Sequence, residues 1–97
     1  MSSAANPEEF YEKLKIQLTE VSTWPGPYLY KFIVPTKGNK IKQVEDHFDS
    51  QGAVITTKQS KNGKYTSVSV NVRMKDPDEV IAKYKEIAAN VEGVISL

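Results

Sequence analysis

Between Lys58 and Met74 the chain reads KQSKNGKYTSVSVNVRM. After Asn62-Gly63, the apolar residues Val68, Val70, Val72 and Met74 alternate with Ser67, Ser69, Asn71 and Arg73. A period of two is the side-chain period of an extended strand, so the apolar set belongs to one face and the polar set to the other. The Asn-Gly pair suits a tight hairpin because both residues tolerate positive φ, and AVITTKQ (53–59) supplies the first arm. A strand buried on one side needs a sheet around it and a cover over that side. The rest of the chain has to supply both.

Prolines and glycines divide the remainder into elements. NPEEFYEKLKIQLTEV opens with Asn6 as an N-cap, Pro7 at the first helical position and two acids, then sets Phe10, Leu14, Leu18 and Val21 on one stripe. This predicts an amphipathic helix over 7–22, preceded by a disordered N-terminus at 1–6. WPGP ends it, and YLYKFIV (28–34) reads as a strand rich in aromatic and β-branched residues. From Asn39 to Gln51, Ile41, Val44 and Phe48 recur at helical spacing, with Gly52 as the stop. Asp76-Pro77-Asp78-Glu79 repeats the cap, proline and acid pattern before a third helix carrying Val80, Tyr84, Ile87 and Val91, and GVISL (93–97) closes as a short strand.

After the first helix the order is β-α-β-β-α-β. This is the pattern of a ferredoxin-like α+β sandwich with an antiparallel sheet in the order 4-1-3-2 and both helices on one face. Residues 23–97 are expected to form that domain, with the helix at 7–22 added to it. Val68, Val70, Val72 and Met74 then face the helices. Lys31, Ser67, Ser69, Asn71 and Arg73 lie on the open face, and Leu29 and Ile33 are exposed beside Lys31.

Composition removes several functions. The 97 residues contain no cysteine and one histidine, His47, so disulfides, thiolate metal sites and cysteine nucleophiles are excluded, and neither a metal nor a cofactor is expected. No run approaches the ~20 apolar residues of a membrane span, and the expected protein is soluble and cytoplasmic. Net charge is +1 but uneven: residues 31–75 carry eight lysines and Arg73 against three acids, while both ends are acidic. Such a basic middle marks either an anionic partner or simply a solvated face.

The hairpin, with Lys58, Ser60, Gly63, Tyr65, Ser67, Val68 and Ser69, resembles that of the YbeD-like family of small uncharacterised bacterial proteins, and P-x-x-Y-x-Y-K ending at Lys31 resembles its first strand. The resemblance covers roughly residues 24–97. It implies a βαββαβ fold similar to ACT-type regulatory domains, which bind small effectors and pair with one another. It implies no enzymatic activity.

Residue requirements test other functions of such a fold. An acylphosphatase-like enzyme needs an arginine in the loop after the first strand, but the only arginine is Arg73. Base stacking on an open sheet face needs aromatics, and this face offers Tyr65 alone, which disfavours nucleic acid. His47 and Trp24 read as a surface residue and a packing residue, and Tyr84 as helix core. What is left is a non-enzymatic binding or regulatory module acting through a small anionic effector or a protein partner. The alternative is a structural module whose activity is dimerisation.

Three placements follow as expectations. Lys37, Gly38, Asn39, Lys40, Lys61 and Lys64 should gather at one end, where the loop after the first strand, the hairpin and the start of the second helix could receive an anion. The last strand, with no charge or proline to blunt it, should be the vulnerable edge and favour a homodimer. The N-terminal helix should lie on the open face, where Ser67, Ser69 and Asn71 are small.

Overall fold

The computed structural model describes residues 7–96. Its elements are α1 (Pro7–Val21), β1 (Gly26–Pro35), α2 (Lys40–Asp46), a 3-10 turn (Asp49–Gln51), β2 (Val54–Gln59), β3 (Tyr65–Met74), α3 (Pro77–Asn90) and β4 (Ile95–Ser96). The N-cap expected at Asn6 and the N-terminus at 1–6 lie outside the described residues. The four strands form one antiparallel sheet in the order β2-β3-β1-β4, which is consistent with a ferredoxin-like arrangement.

The register explains the burial. Tyr28, Tyr30, Phe32 and Val34 pair with Val72, Val70, Val68 and Thr66, so the β1 and β3 residues of one parity share a face. Tyr30, Phe32, Val34, Val68, Val70 and Met74 are completely shielded there, packed against Val44 and Phe48 from the α2 region and Val80, Tyr84 and Ile87 of α3. Rings of Tyr30, Phe32, Phe48 and Tyr84 meet at centroid distances of 4.9–6.3 Å. The Tyr30 hydroxyl donates to the Val80 carbonyl at 3.0 Å, and those of Tyr28 and Tyr84 hydrogen bond at 2.8 Å, so each buried ring keeps its polar end satisfied. Burial pushes the Tyr30 and Tyr84 hydroxyls well above their ordinary range. They are core residues.

α3 starts as its sequence dictates. The Asp76 carboxylate accepts from the Glu79 N–H at 2.9 Å, Pro77 takes the first helical position, and the Glu79 carboxylate reaches back to the Lys75 N–H. α2 is shorter than its hydrophobic pattern predicts. It ends at Asp46, the His47 N–H turns to the Val44 carbonyl, and the chain tightens into the 3-10 turn before Gly52, which has φ 68°. Val44 and Phe48 still reach the core because one helical turn and one tight turn together span the same interval.

α1 does not lie on the open face. It packs beside α3 on the helix side of the sheet: Lys15 pairs with Asp78 at 2.9 Å, Lys85 with Glu8 at 3.6 Å, and the Lys85 ammonium sits over the Tyr11 ring. Its buried stripe is Tyr11, Leu14 and Leu18, while Phe10 and Val21 are exposed. Beside the two-residue β4, Tyr11 and Leu14 of α1 meet Tyr28 and Tyr84 around a recess of about 190 Å³, which the exposed Phe10 and Ser96 also line. Trp24 fixes the corner by donating its indole N–H to the Leu18 carbonyl at 3.0 Å.

His47 is half-buried rather than free on the surface. Its Nδ1 contacts the Glu86 carboxylate, and the Lys83 ammonium bridges the His47 carbonyl (2.7 Å) and Glu86 (3.4 Å). The cluster joins the end of α2 to α3.

Candidate functional site at the hairpin end of the sheet

With α1 on the helix side, one whole face of the sheet is left without a cover among the described residues. Cross-strand pairing arranges that face in rows. One row is Leu29, Asn71 and Val54; the next is Lys31, Ser69 and Thr56; the third is Ile95, Ile33, Ser67 and Lys58, with Pro35 and Tyr65 beyond it and Pro27 and Arg73 at the opposite end. Leu29, Val54, Tyr65 and Ile95 are 52%, 66%, 48% and 52% exposed. Exposed apolar side chains gathered on one face carry a solvation cost that no packing among the described residues offsets.

The charges here all have one sign. Lys31, Lys58 and Arg73 are the only ionisable side chains in the rows apart from the Tyr65 phenol, and among the described residues none of the three forms an ion pair. None of the described acids stands in these rows; they sit on and around the three helices, where Glu8, Asp46, Asp78 and Glu86 are paired with lysines.

At the hairpin end the face deepens into a recess of about 520 Å³, lined by Ile33, Lys58, Gln59, Ser60, Lys61, Tyr65, Ser67 and Ile95. All four strands contribute. Ile33, Ile95 and Tyr65 give it an apolar lining, and Lys58 and Lys61 are the charged residues among those that line it. The size is that of an ordinary small-ligand cleft. No histidine or carboxylate lines it. The Ser60 hydroxyl donates to the Asn62 side-chain carbonyl at 3.0 Å and the Ser67 hydroxyl to the Lys58 carbonyl at 3.3 Å, so neither is poised as a nucleophile.

The hairpin that holds Lys61 is a five-residue loop, Ser60–Lys64, rather than a two-residue turn. Gly63 alone adopts positive φ (74°). Asn62 instead uses its carboxamide oxygen to accept from the Lys64 N–H at 3.0 Å, and the Ser60 N–H donates to the Tyr65 carbonyl at 2.7 Å to close the loop. The loop after β1 is tied to it, since the Thr36 N–H donates to the Lys64 carbonyl at 3.0 Å and the hydroxyls of Thr36 and Thr66 hydrogen bond at 2.8 Å.

The residues grouped from the sequence fall around two recesses and outside both. Lys37 and Lys64 meet with Pro35, Asn62 and Gly63 around a second recess of about 410 Å³ at the tip of the molecule. Lys61 belongs to the open-face recess. Gly38, Asn39 and Lys40 line neither. Asn39 has φ 63° and makes no side-chain cap, and α2 has seven residues, too few for its N-terminus to act as an anion site. Sequence reasoning placed Lys58 in the hairpin without a binding role, and it did not single out Ile95 or Gln59. The parity of Ile95 depends on the pairing of a two-residue strand, for which the sequence offers no register signal.

A family model described as a protein of unknown function, DUF493, matches residues 19–95. The chain belongs to the DUF493 family. The match covers β1, β2, β3, α2 and α3, begins inside α1 and ends at Ile95 in β4, so both recesses are built from DUF493 residues. The family is uncharacterised, as is the one that the hairpin resembles. No curated protein and no solved structure matches the chain.

Proposed function

We propose that this protein is a non-enzymatic binding and regulatory module, ACT-like in a ferredoxin-like frame, that takes an anionic partner at the hairpin end of its open sheet face. The observation that carries this is the recess lined by Ile33, Ile95 and Tyr65 together with Lys58 and Lys61. An apolar lining holds the body of a ligand, and two cations with no acid beside them select for negative charge. The tip recess, with Lys37 and Lys64, lies at the same end and extends the positive field. The YbeD-like character of the hairpin supports the same reading, and so does the lack of any base beside the recess hydroxyls.

A thermal-shift screen with small carboxylates and phosphate esters tests it. The expected hits are amphiphilic anions, and Lys58→Glu combined with Lys61→Glu abolishes the shift while the protein stays folded. Uncharged or cationic hits that survive the double substitution contradict the reading.

A second reading, dimerisation, rests on the sheet edges. β4 is too short to template pairing, so the expected vulnerable edge shifts to β2, whose six residues include only Lys58 as a charge and leave Val54 exposed. Light scattering across micromolar concentrations decides it, and a monomer mass throughout removes it.

A further inference from the structure

The recess accounts for only part of the exposed apolar surface. Among the described residues seven large apolar side chains are exposed, and four of them, Leu29, Val54, Tyr65 and Ile95, stand on the open face. Tyr65 and Ile95 line the recess, but Leu29 and Val54 do not. They lie in the row with Asn71, four residues along β3 from Ser67, or about 14 Å at the ordinary strand rise. A small molecule seated in the recess leaves them in water.

We infer that the open face docks an amphipathic helix of a partner protein, one whose apolar stripe is flanked by aspartate and glutamate. This rests on the reading of that face as the working surface and names its occupant. Along the strands, the span from the Leu29–Val54 row to the Ile33–Ile95 row is matched by about nine helical residues at 1.5 Å each. An apolar stripe that recurs every three or four residues over those roughly two and a half turns therefore reaches from one apolar row to the other, as in the helix-in-groove mode of recognition. Lys31 and Arg73 on the face and Lys58 and Lys61 at its hairpin end then meet the acidic flanks.

Charge and side-chain type weigh against the other occupants. Two copies placed face to face would bring Lys31, Lys58 and Arg73 against their own kind, a like-charge arrangement. A single nucleic-acid strand needs aromatic platforms, and Leu29, Ile33, Val54 and Ile95 are aliphatic, with Tyr65 the one ring on the face. A strand added to the β2 edge would leave Leu29 and Ile95 uncovered.

The test uses a synthetic helix-forming peptide of about 18 residues, long enough to populate a helix when bound, with leucines at helical spacing and glutamates beside them. A second peptide carries lysines in place of the glutamates. Each is titrated into the ¹⁵N-labelled protein while amide resonances are followed. The expected result is that the glutamate peptide shifts resonances in β1, β2 and β3 and gains helicity. Lys31→Glu with Lys58→Glu weakens it about tenfold or more, as reversal of rim charges does. Leu29→Ala with Val54→Ala, both outside the recess, also weakens it. The inference is overturned if the lysine peptide binds equally well, or if the Leu29 and Val54 substitutions have no effect. If both peptides fail while small carboxylates still shift the recess residues, the helix is wrong and the binding reading stands. If nothing perturbs the face, the reading itself fails. Concentration-dependent shifts of the same residues without peptide, with a dimer mass, assign the face to a second copy and overturn the inference.

Discussion

Ile33 of β1 stands directly opposite Ile95 of β4, and both turn toward the face of the sheet that the helices leave open. Their neighbours one residue away in β1, Phe32 and Val34, are fully buried on the other side. One strand thus carries structural residues on one face and candidate binding residues on the other, which makes the two separable by mutation.

Leu29→Ser and Ile95→Ser are expected to change stability by no more than about 0.5 kcal/mol, as for ordinary surface substitutions. Phe32→Ala, which empties a fully buried site, is expected to cost about 3–5 kcal/mol. Urea denaturation measures both. A large loss from Leu29→Ser means that the face is covered inside the protein and is not available to a partner.

The alternation of β3 was legible because its valines and serines keep strict parity, and the same parity in β1 put Leu29 and Ile33 outside together with Lys31. The position of α1 was not legible. An amphipathic stripe indicates that one side of a helix is buried, but not against what, and here Tyr11 replaced Phe10 and Val21 because the docking surface is Tyr28, Tyr84 and Lys85. The recess was hidden for a related reason. Its lining comes from four strands, and of the lysines expected to gather at one end, Lys37 and Lys64 line the tip recess, Lys61 the open-face recess and Lys40 neither.

The docking of α1 predicts an uneven response along the helix. Leu18→Ala is expected to destabilise by about 2–3 kcal/mol, since Leu18 is nearly buried in the core and its carbonyl holds the Trp24 indole. Phe10→Ala and Val21→Ala, both exposed, should stay within about 0.5 kcal/mol. Denaturation midpoints at constant slope provide the comparison. Equal effects at all three positions contradict the observed stripe.

The Glu86 cluster predicts a limb in the acid stability curve. Partial burial pushes the Glu86 carboxyl up, but its hydrogen bond to His47 and the nearby Lys83 charge outweigh this and hold it below its ordinary value of 4.5. A carboxyl depressed in the folded state contributes stability above its unfolded value, and that contribution is lost as pH falls from about 4.5 through the lower folded value. Glu86→Gln should therefore lower stability at neutral pH and flatten the pH dependence below about 4.5. Melting temperatures across pH 3–7 check it, and an unchanged acid slope in the variant shows that Glu86 does not contribute.

Lysine footprinting of the protein captured with its partner from its own cells tests the central claim most directly, by comparing acetylation of each lysine in the complex with that in the free protein. If the open face is the working surface, Lys31, Lys58 and Lys61 lose reactivity in the complex, while Lys42 and Lys85 on the helix side keep theirs. Full reactivity at Lys31 and Lys58 alongside protection of Lys42 and Lys85 would place the partner on the helices and contradict the account.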